Sequence, residues 1–286
     1  MAFTTKAEIA QFGGRLLKLS HESETTKTSM AVNVYLPAHG ITNIPVLLYL
    51  SGLTCTPDNA TEKSFLQYFA SKYGFAVVFP DTSPRGESIP DEKESWDFGT
   101  GAGFYVNATQ EPYNENYHMY SYIHEELLTA LTKEFPQLDF TNISITGHSM
   151  GGMGALVGFL SQPGKYKSVS AFAPIVNPSI APWGEKCFGN YLGSNKQDWY
   201  KYDPTHLIKN YSHENHPPIL IHQGLKDSFY PSQLQPENFV NAAKEAGYKG
   251  GVVLKVVEGY DHSYFFISSF VEEHAQHHAK YLGLTQ

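Results

Sequence analysis

Apolar and polar positions along the chain fall into two rhythms. Residues 13–20 and 29–36 alternate, as strands do when one face is buried, and the polar stretch 21–28 between them reads as a hairpin loop. Continuous apolar runs at 45–50 and 75–79 predict strands covered on both faces, and 168–174 reads as another buried strand. Ile143, Ile145 and Thr146 mark a short buried strand ahead of Gly147, while 218–222 and 251–257 predict the last two strands. Helical spacing appears at 60–73, where Phe65, Leu66, Phe69 and Ala70 share a face, and again at 118–135, after 149, at 232–246 and at 263–281. From the third strand onward strand and helix alternate, which specifies a mainly parallel sheet with helices on both faces and a short antiparallel start.

Two segments break the alternation. Residues 80–117 form a long loop whose Trp96, Phe98, Phe104 and Tyr105 predict that it packs against the body. Residues 175–217, with Trp183 and Trp199, read as an irregular insertion. No internal repeat or linker interrupts the chain, so residues 1–286 are expected to form a single domain of α/β class. The glycines of Gly99-Thr-Gly-Ala-Gly103 do not join a strand directly to a helix, which argues against a dinucleotide loop.

Charge narrows the partners. The formal net charge is −8 and the two arginines, Arg15 and Arg85, sit in no basic block, so nucleic acid and anionic membrane are not expected partners. Two cysteines, Cys55 and Cys187, give no disulfide framework. Without a secretory h-region or an apolar run near ~20 residues, the chain is expected to be soluble and cytoplasmic. The sequons at Asn59, Asn107, Asn142 and Asn210 are then chance matches.

The chemistry concentrates in Gly147-His148-Ser149-Met150-Gly151, a G-x-S-x-G set between a strand and a helix. A serine there sits on a turn so tight that side chains two residues to either side would collide, and Gly147 and Gly151 remove them. The turn also places Ser149 at a helix N-terminus, with the Met150 N–H available to an oxyanion. Eight strands with this elbow after the fifth is the α/β-hydrolase plan.

A serine hydroxyl needs a base, and the base an orienting acid; in this plan both follow the nucleophile in chain order, just after strand ends. Asp227 follows the strand ending at His222, and His262 follows the strand ending at Val257. Asp203, in the insertion, is the more distant candidate acid, and Asp261 is poorly placed because neighbouring side chains diverge. The turn is expected to direct the His148 side chain away. His274 and His278 have an i, i+4 spacing that could hold a metal, but no carboxylate motif accompanies them. They read as a solvated helix face, and neither metal nor cofactor is expected.

The loop after the third strand, Ser51-Gly52-Leu53-Thr54, offers the Leu53 N–H as a second oxyanion donor, or else is an ordinary turn. Cys55 lies near the site or is a small buried hydrophobe. Arg85 follows a strand end and faces the cleft, or else pairs with Asp81, Glu87 or Asp91. Trp96 and Trp183 complete the expected substrate pocket.

Leu50-Ser-Gly-Leu-Thr-Cys-Thr56, Pro80-Asp-Thr-Ser-Pro-Arg-Gly86, Ser95-Trp-Asp-Phe-Gly-Thr-Gly-Ala-Gly-Phe-Tyr105, Gly147-His-Ser-Met-Gly-Gly152, Ser170-Ala-Phe-Ala-Pro-Ile-Val-Asn-Pro178 and Gly259-Tyr-Asp-His-Ser-Tyr264 together resemble the S-formylglutathione hydrolase (esterase D) family over nearly the whole chain. The resemblance implies a cytoplasmic homodimeric thioesterase that releases formate and glutathione in formaldehyde detoxification. It also implies Ser149, Asp227 and His262 as triad, with Leu53 and Met150 as oxyanion donors. A broad carboxylesterase or acyltransferase on the same triad, and a hydrolase fold that only binds, are the other readings.

Overall fold

The computed structural model describes residues 2–38, 42–90 and 95–285. Its centre is a nine-stranded sheet with strand order 1-2-3-5-4-6-7-8-9. The strands are β1 (Thr4–Gln11), β2 (Gly14–Glu22), β3 (Ser29–Leu36), β4 (Ile44–Leu50), β5 (Ala76–Pro80), β6 (Leu138–Gly147), β7 (Tyr166–Phe172), β8 (Ile219–Gly224) and β9 (Val252–Val257). Strands β1 to β3 and the β3–β5 pair are antiparallel; every pairing from β5 through β4 to β9 is parallel. This is the α/β-hydrolase arrangement, with one strand more than the hydrophobic pattern predicts. The extra strand is β1, an outer edge strand whose residues are almost all exposed. A strand that buries neither face carries no apolar alternation to read.

The central strands are apolar for a physical reason. All seven residues of β4, all five of β5 and all six of β8 are buried, because helices cover both faces of a parallel sheet. The helices of the chain are α1 (Pro57–Lys63), α2 (Leu66–Tyr73), α3 (Met119–Ser121), α4 (Leu127–Glu134), α5 (Met150–Ser161), α6 (Pro182–Leu192), α7 (Lys196–Trp199), α8 (Pro204–Leu207), α9 (Pro236–Glu245) and α10 (Tyr264–Tyr281). A π-helical turn, Tyr122–Glu126, joins α3 to α4. Helix α5 is buried from Met150 to Leu160, which is why its sequence is apolar all round rather than amphipathic.

Two expectations change. The predicted helix 60–73 is two helices, broken at Ser64 and at Phe65, whose φ of 59° is left-handed. The break leaves the Thr61 carbonyl without a helical partner, and the buried Gln67 Nε2 donates to it at 2.6 Å. The segment 175–217 is not irregular but carries α6, α7 and α8. Two of these have only four residues each, too short to show a periodic pattern.

Candidate active site

The turn between β6 and α5 is as tight as its glycines require. A Cβ on Gly147 would stand 2.2 Å from the Gly151 carbonyl oxygen, and one on Gly151 would stand 2.0 Å from the Leu50 oxygen. Ser149 itself has φ 58° and ψ −119°, a region costing on the order of 1–3 kcal/mol for a residue with a side chain. Backbone hydrogen bonds hold it there. Ser149 N–H donates to Phe172 O (2.9 Å), His148 N–H to Leu50 O (3.0 Å), and Met153 N–H to Ser149 O (3.0 Å). The strain is thus supported by β4 on one side and β7 on the other.

Asp227 and His262 arrive from the ends of β8 and β9. His262 Nδ1 lies 2.5 Å from Asp227 Oδ2. The buried carboxylate also accepts from Gln223 Nε2 (3.1 Å) and from the Phe229 N–H (2.9 Å). Three donors aimed at two oxygens fix the carboxylate plane and with it the imidazole. With Nδ1–H given to Asp227, the Nε2 lone pair of His262 is left for another proton. Ser149 and His262 line one cavity of about 190 Å³, together with Gly52, Leu53 and Cys55, and with Trp96, Trp183 and Phe229 among its aromatic walls. The other candidate acids are engaged elsewhere. Asp203 accepts from Asn177 Nδ2 (2.8 Å), Ser179 N–H (3.0 Å) and His206 N–H (3.1 Å), and Asp261 accepts from the Ser263 hydroxyl and N–H (2.6 and 3.0 Å).

The loop after β4 lies against the nucleophile. A Cβ on Gly52 would stand 3.1 Å from Ser149 Cβ, so glycine allows the approach. Thr54 and Cys55 N–H groups donate to Gly101 O (2.9 Å) and Gly52 O (3.3 Å), while the Leu53 N–H between Gly52 and Thr54 has no hydrogen-bond partner among the described residues. The 99–103 glycines thus brace this loop, and Gly101 N–H in turn donates to Ser83 Oγ at 2.7 Å. Tyr105 OH fixes the loop's start by donating to Ser51 O (2.8 Å). Cys55 lines the cavity with its sulfur 3.9 Å from Tyr264 OH. Burial pushes both the Cys55 thiol and the Tyr264 phenol up.

Three expectations are corrected. Arg85 does not line the cavity: its guanidinium grips Asp81 at 2.9–3.1 Å and donates to Cys55 O at 3.0 Å, so it supports the loop from behind. Of its other two candidate partners, Glu87 is exposed and Asp91 lies outside the described residues. His148 is not directed away. Its ring lies 4.4 Å from that of His262, lines the cavity, and has neither nitrogen hydrogen-bonded among the described residues. Burial first, and the His262 ring second, push its pKa far down.

His274 and His278 are not solvated but buried in a polar seam between α10 and the sheet. His222 Nδ1 meets His274 Nε2 (2.9 Å), and His274 Nδ1 meets Ser170 Oγ (2.8 Å). Ser170 Oγ meets His278 Nε2 (2.7 Å), and His278 Nδ1 meets Ser168 Oγ (2.8 Å). Burial lowers all three histidines, His222 to about 4. Among the described residues no group of three or more His, Cys, Asp or Glu could hold a metal ion.

Phe229, His148 and Tyr264 line the cavity without having been expected there. Phe229 follows Asp227 by two residues and Tyr264 follows His262 by two, so proximity to the candidate acid and base was the available signal.

Comparison with known proteins agrees along the chain. The model of the Esterase family, described as "Putative esterase", matches residues 23–277. An S-formylglutathione hydrolase of Saccharomyces cerevisiae is 56% identical over 293 residues, covering 97% of this chain and 98% of its own. One from Rattus norvegicus is 52% identical over 274 residues, covering 95% and 96%. Among solved structures, an S-formylglutathione hydrolase from Agrobacterium tumefaciens superimposes with a TM-score of 0.93 at 45% identity, covering 98% of this chain and 99% of its own.

Proposed function

The chain belongs to the S-formylglutathione hydrolase family of esterases, and from that premise we propose that it is a serine thioesterase cleaving S-formylglutathione to formate and glutathione. The observation that carries the reading is the convergence of Ser149 and the Asp227–His262 pair on one small cavity. A space of about 190 Å³ walled by indole and phenyl rings suits a short acyl group better than a long one.

The residues take these roles. Ser149 Oγ attacks the formyl carbonyl carbon while His262 Nε2 removes its proton. The Leu53 and Met150 N–H groups hold the oxyanion, a type of contact worth about 3–4 kcal/mol per donor elsewhere. The C–S bond breaks, the thiolate leaves and takes the proton held on His262 Nε2, directly or through solvent, and formyl-Ser149 remains. Water then adds to the formyl carbon as His262 takes its proton, the bond from that carbon to Ser149 Oγ breaks, Oγ recovers the proton from His262, and formate departs. Asp227 keeps the imidazole in the working tautomer and stabilises it when charged. Trp96, Trp183, Phe229 and His148 exclude water and bound the acyl group, and the site admits small carboxylic esters as side substrates.

Formate release from S-formylglutathione, measured beside p-nitrophenyl acetate, tests the reading. A kcat/KM that is higher for the ester, or a Ser149→Ala variant that keeps its thioesterase activity, overturns it. The family further supports a cytoplasmic homodimer in which residues 1–286 fold as one domain. Among the described residues no helix is long and apolar enough to cross a membrane. Sedimentation equilibrium and cell fractionation check the dimer and the compartment.

A further inference from the structure

A second cavity opens beside the first, and the chemistry at Ser149 makes no use of it. Its volume is about 580 Å³, against about 190 Å³ for the catalytic one. Tyr264 lines both, so one ring forms the partition between the two spaces. The larger cavity therefore begins within two residues of His262.

Its walls combine exposed aromatic surface with a lysine. Phe65 and Phe265 are 59% and 84% exposed. Phe65 holds its place through a left-handed backbone, φ 59°, a conformation that costs a bulky residue energy and gathers at functional sites. Lys63, at the end of α1, lies at the same mouth with Nζ 6.0 Å from the Tyr264 ring centre. Lys18 is paired with Asp58 (2.9 Å) and Glu62 (3.6 Å), and Lys72 with Glu272 (3.4 Å). Lys63 has no carboxylate partner among the described residues. The N-terminus of α10, capped by Ser263, opens on the same cavity and adds to its attraction for an anion. Glu62 also lines the cavity, but its charge is shared with Lys18.

We infer that the second cavity is the subsite for the tripeptide of the leaving group, with Lys63 Nζ pairing a glutathione carboxylate and the Phe65 and Phe265 rings covering the peptide. The inference rests on the thioesterase reading above. In S-formylglutathione the small formyl group and the large charged tripeptide extend from one sulfur in opposite senses. The small cavity and the large one, divided by Tyr264, match that asymmetry. Each arm of the tripeptide ends in a carboxylate, and in a chain of net charge −8 an ammonium at the mouth with no carboxylate partner among the described residues discriminates strongly. Binding of this kind acts on a part of the substrate remote from the reacting carbon.

The test compares two formyl thioesters on the intact protein: S-formylglutathione, and the uncharged S-formyl-N-acetylcysteamine. The quantity read is the ratio of their kcat/KM values. Lys63→Met is expected to lower that ratio about threefold to tenfold, as for a partly exposed ion pair, mainly through KM for S-formylglutathione. Lys63→Glu lowers it further, and about 0.5 M salt shrinks the effect. A ratio left unchanged by both variants, or equal losses on both substrates, overturns the inference. So does a Phe265→Ser variant whose sedimenting mass falls, since the cavity would then be a face between two copies of the chain. If the unaltered protein shows no preference for S-formylglutathione over the neutral thioester, the subsite falls while the thioesterase reading stands; if it cleaves neither thioester, the thioesterase reading falls and takes the subsite with it. A preference that persists at its full, unaltered size in the Lys63 variants removes the subsite alone.

Discussion

Asp227→Asn changes one oxygen to an amide nitrogen and leaves the side chain's shape intact. Phe229 N–H donates to Oδ1 and fixes that position as an oxygen. The new NH₂ must therefore take the Oδ2 position, which faces His262 Nδ1 at 2.5 Å and Gln223 Nε2 at 3.1 Å. The clash with Gln223 has a ready resolution. Its Oε1 is buried and has no partner among the described residues, so a flip of the amide offers Oε1 to the asparagine, at the loss of the 3.1 Å bond that Nε2 gives to Gly224 O. His262 has no such escape. It must accept at Nδ1, which moves its own proton to Nε2 and turns a donor toward Ser149. Loss of the base in this way is expected to lower kcat about 10³–10⁴-fold, equivalent to roughly 4–5.5 kcal/mol. The melting temperature should move by no more than about 2–4 °C, the shift of a ~1 kcal/mol change in a domain of this larger size. Steady-state kinetics, a thermal melt and ¹⁵N spectra of the imidazole measure the three quantities. A loss below tenfold in a folded variant, or an imidazole proton that stays on Nδ1, refutes the tautomer account.

Gly151→Ala places a Cβ 2.0 Å from the Leu50 oxygen; it should destabilise the fold by about 3 kcal/mol or more, read by urea unfolding, and a variant within 1 kcal/mol of the parent counts against the tight elbow. Burial holds His222, His274 and His278 neutral with pKa values depressed from about 6.5, His222 to about 4. Below pH ~6.5 the unfolded chain binds protons that the folded chain refuses, so stability is full above that pH and falls by about 1.4 kcal/mol per pH unit for each such histidine as pH drops. Unfolding free energies that stay level from pH 7 to pH 5 contradict this. Cys55 lines the cavity but its thiol is pushed up by burial. A bulky maleimide should therefore inactivate slowly at neutral pH and faster at high pH, while Cys55→Ser should resist the reagent and keep activity within about tenfold, well short of a catalytic residue's loss. Undiminished sensitivity in Cys55→Ser would move the reaction to Cys187, which is buried with its sulfur 3.3 Å from Asp97 O.

The elbow was legible because its geometry leaves no choice of residue: at 147 and 151 anything larger than glycine meets backbone. Asp227 and His262 were legible because a parallel sheet delivers side chains at strand ends, and apolar runs mark where strands stop. What sequence hid was orientation. His148 shares the turn with Ser149, and the strained backbone swings its ring under His262 rather than outward. For Arg85, which follows a strand, sequence left open both the cleft and an ion pair with Asp81, Glu87 or Asp91, and the carboxylate four residues before it wins the guanidinium. In α10 the buried residues Ile267, Val271, Ala275 and Ala279 form one stripe on which His274 and His278 also fall. That stripe was present in the sequence, and it outweighs the polarity of the two histidines. Strand β1 left no trace because nothing covers it.

The seam that fastens α10 has a mechanical meaning apart from its response to acid. A helix held by grease alone can roll or slip along its bed at little cost. A row of complementary donors and acceptors fits in one setting, as a key fits a slotted shaft, and any slip leaves several buried polar groups unmatched at once. His274 lies ten residues, roughly 15 Å, along the axis from the first residue of α10, and that residue, Tyr264, stands two places after His262. The slot is therefore cut far along the helix from His262, yet it sets the azimuth of the rod whose first turn follows the imidazole. A leucine-lined replacement could leave the protein folded and the tip free to wander by the fraction of an ångström that proton transfer does not forgive.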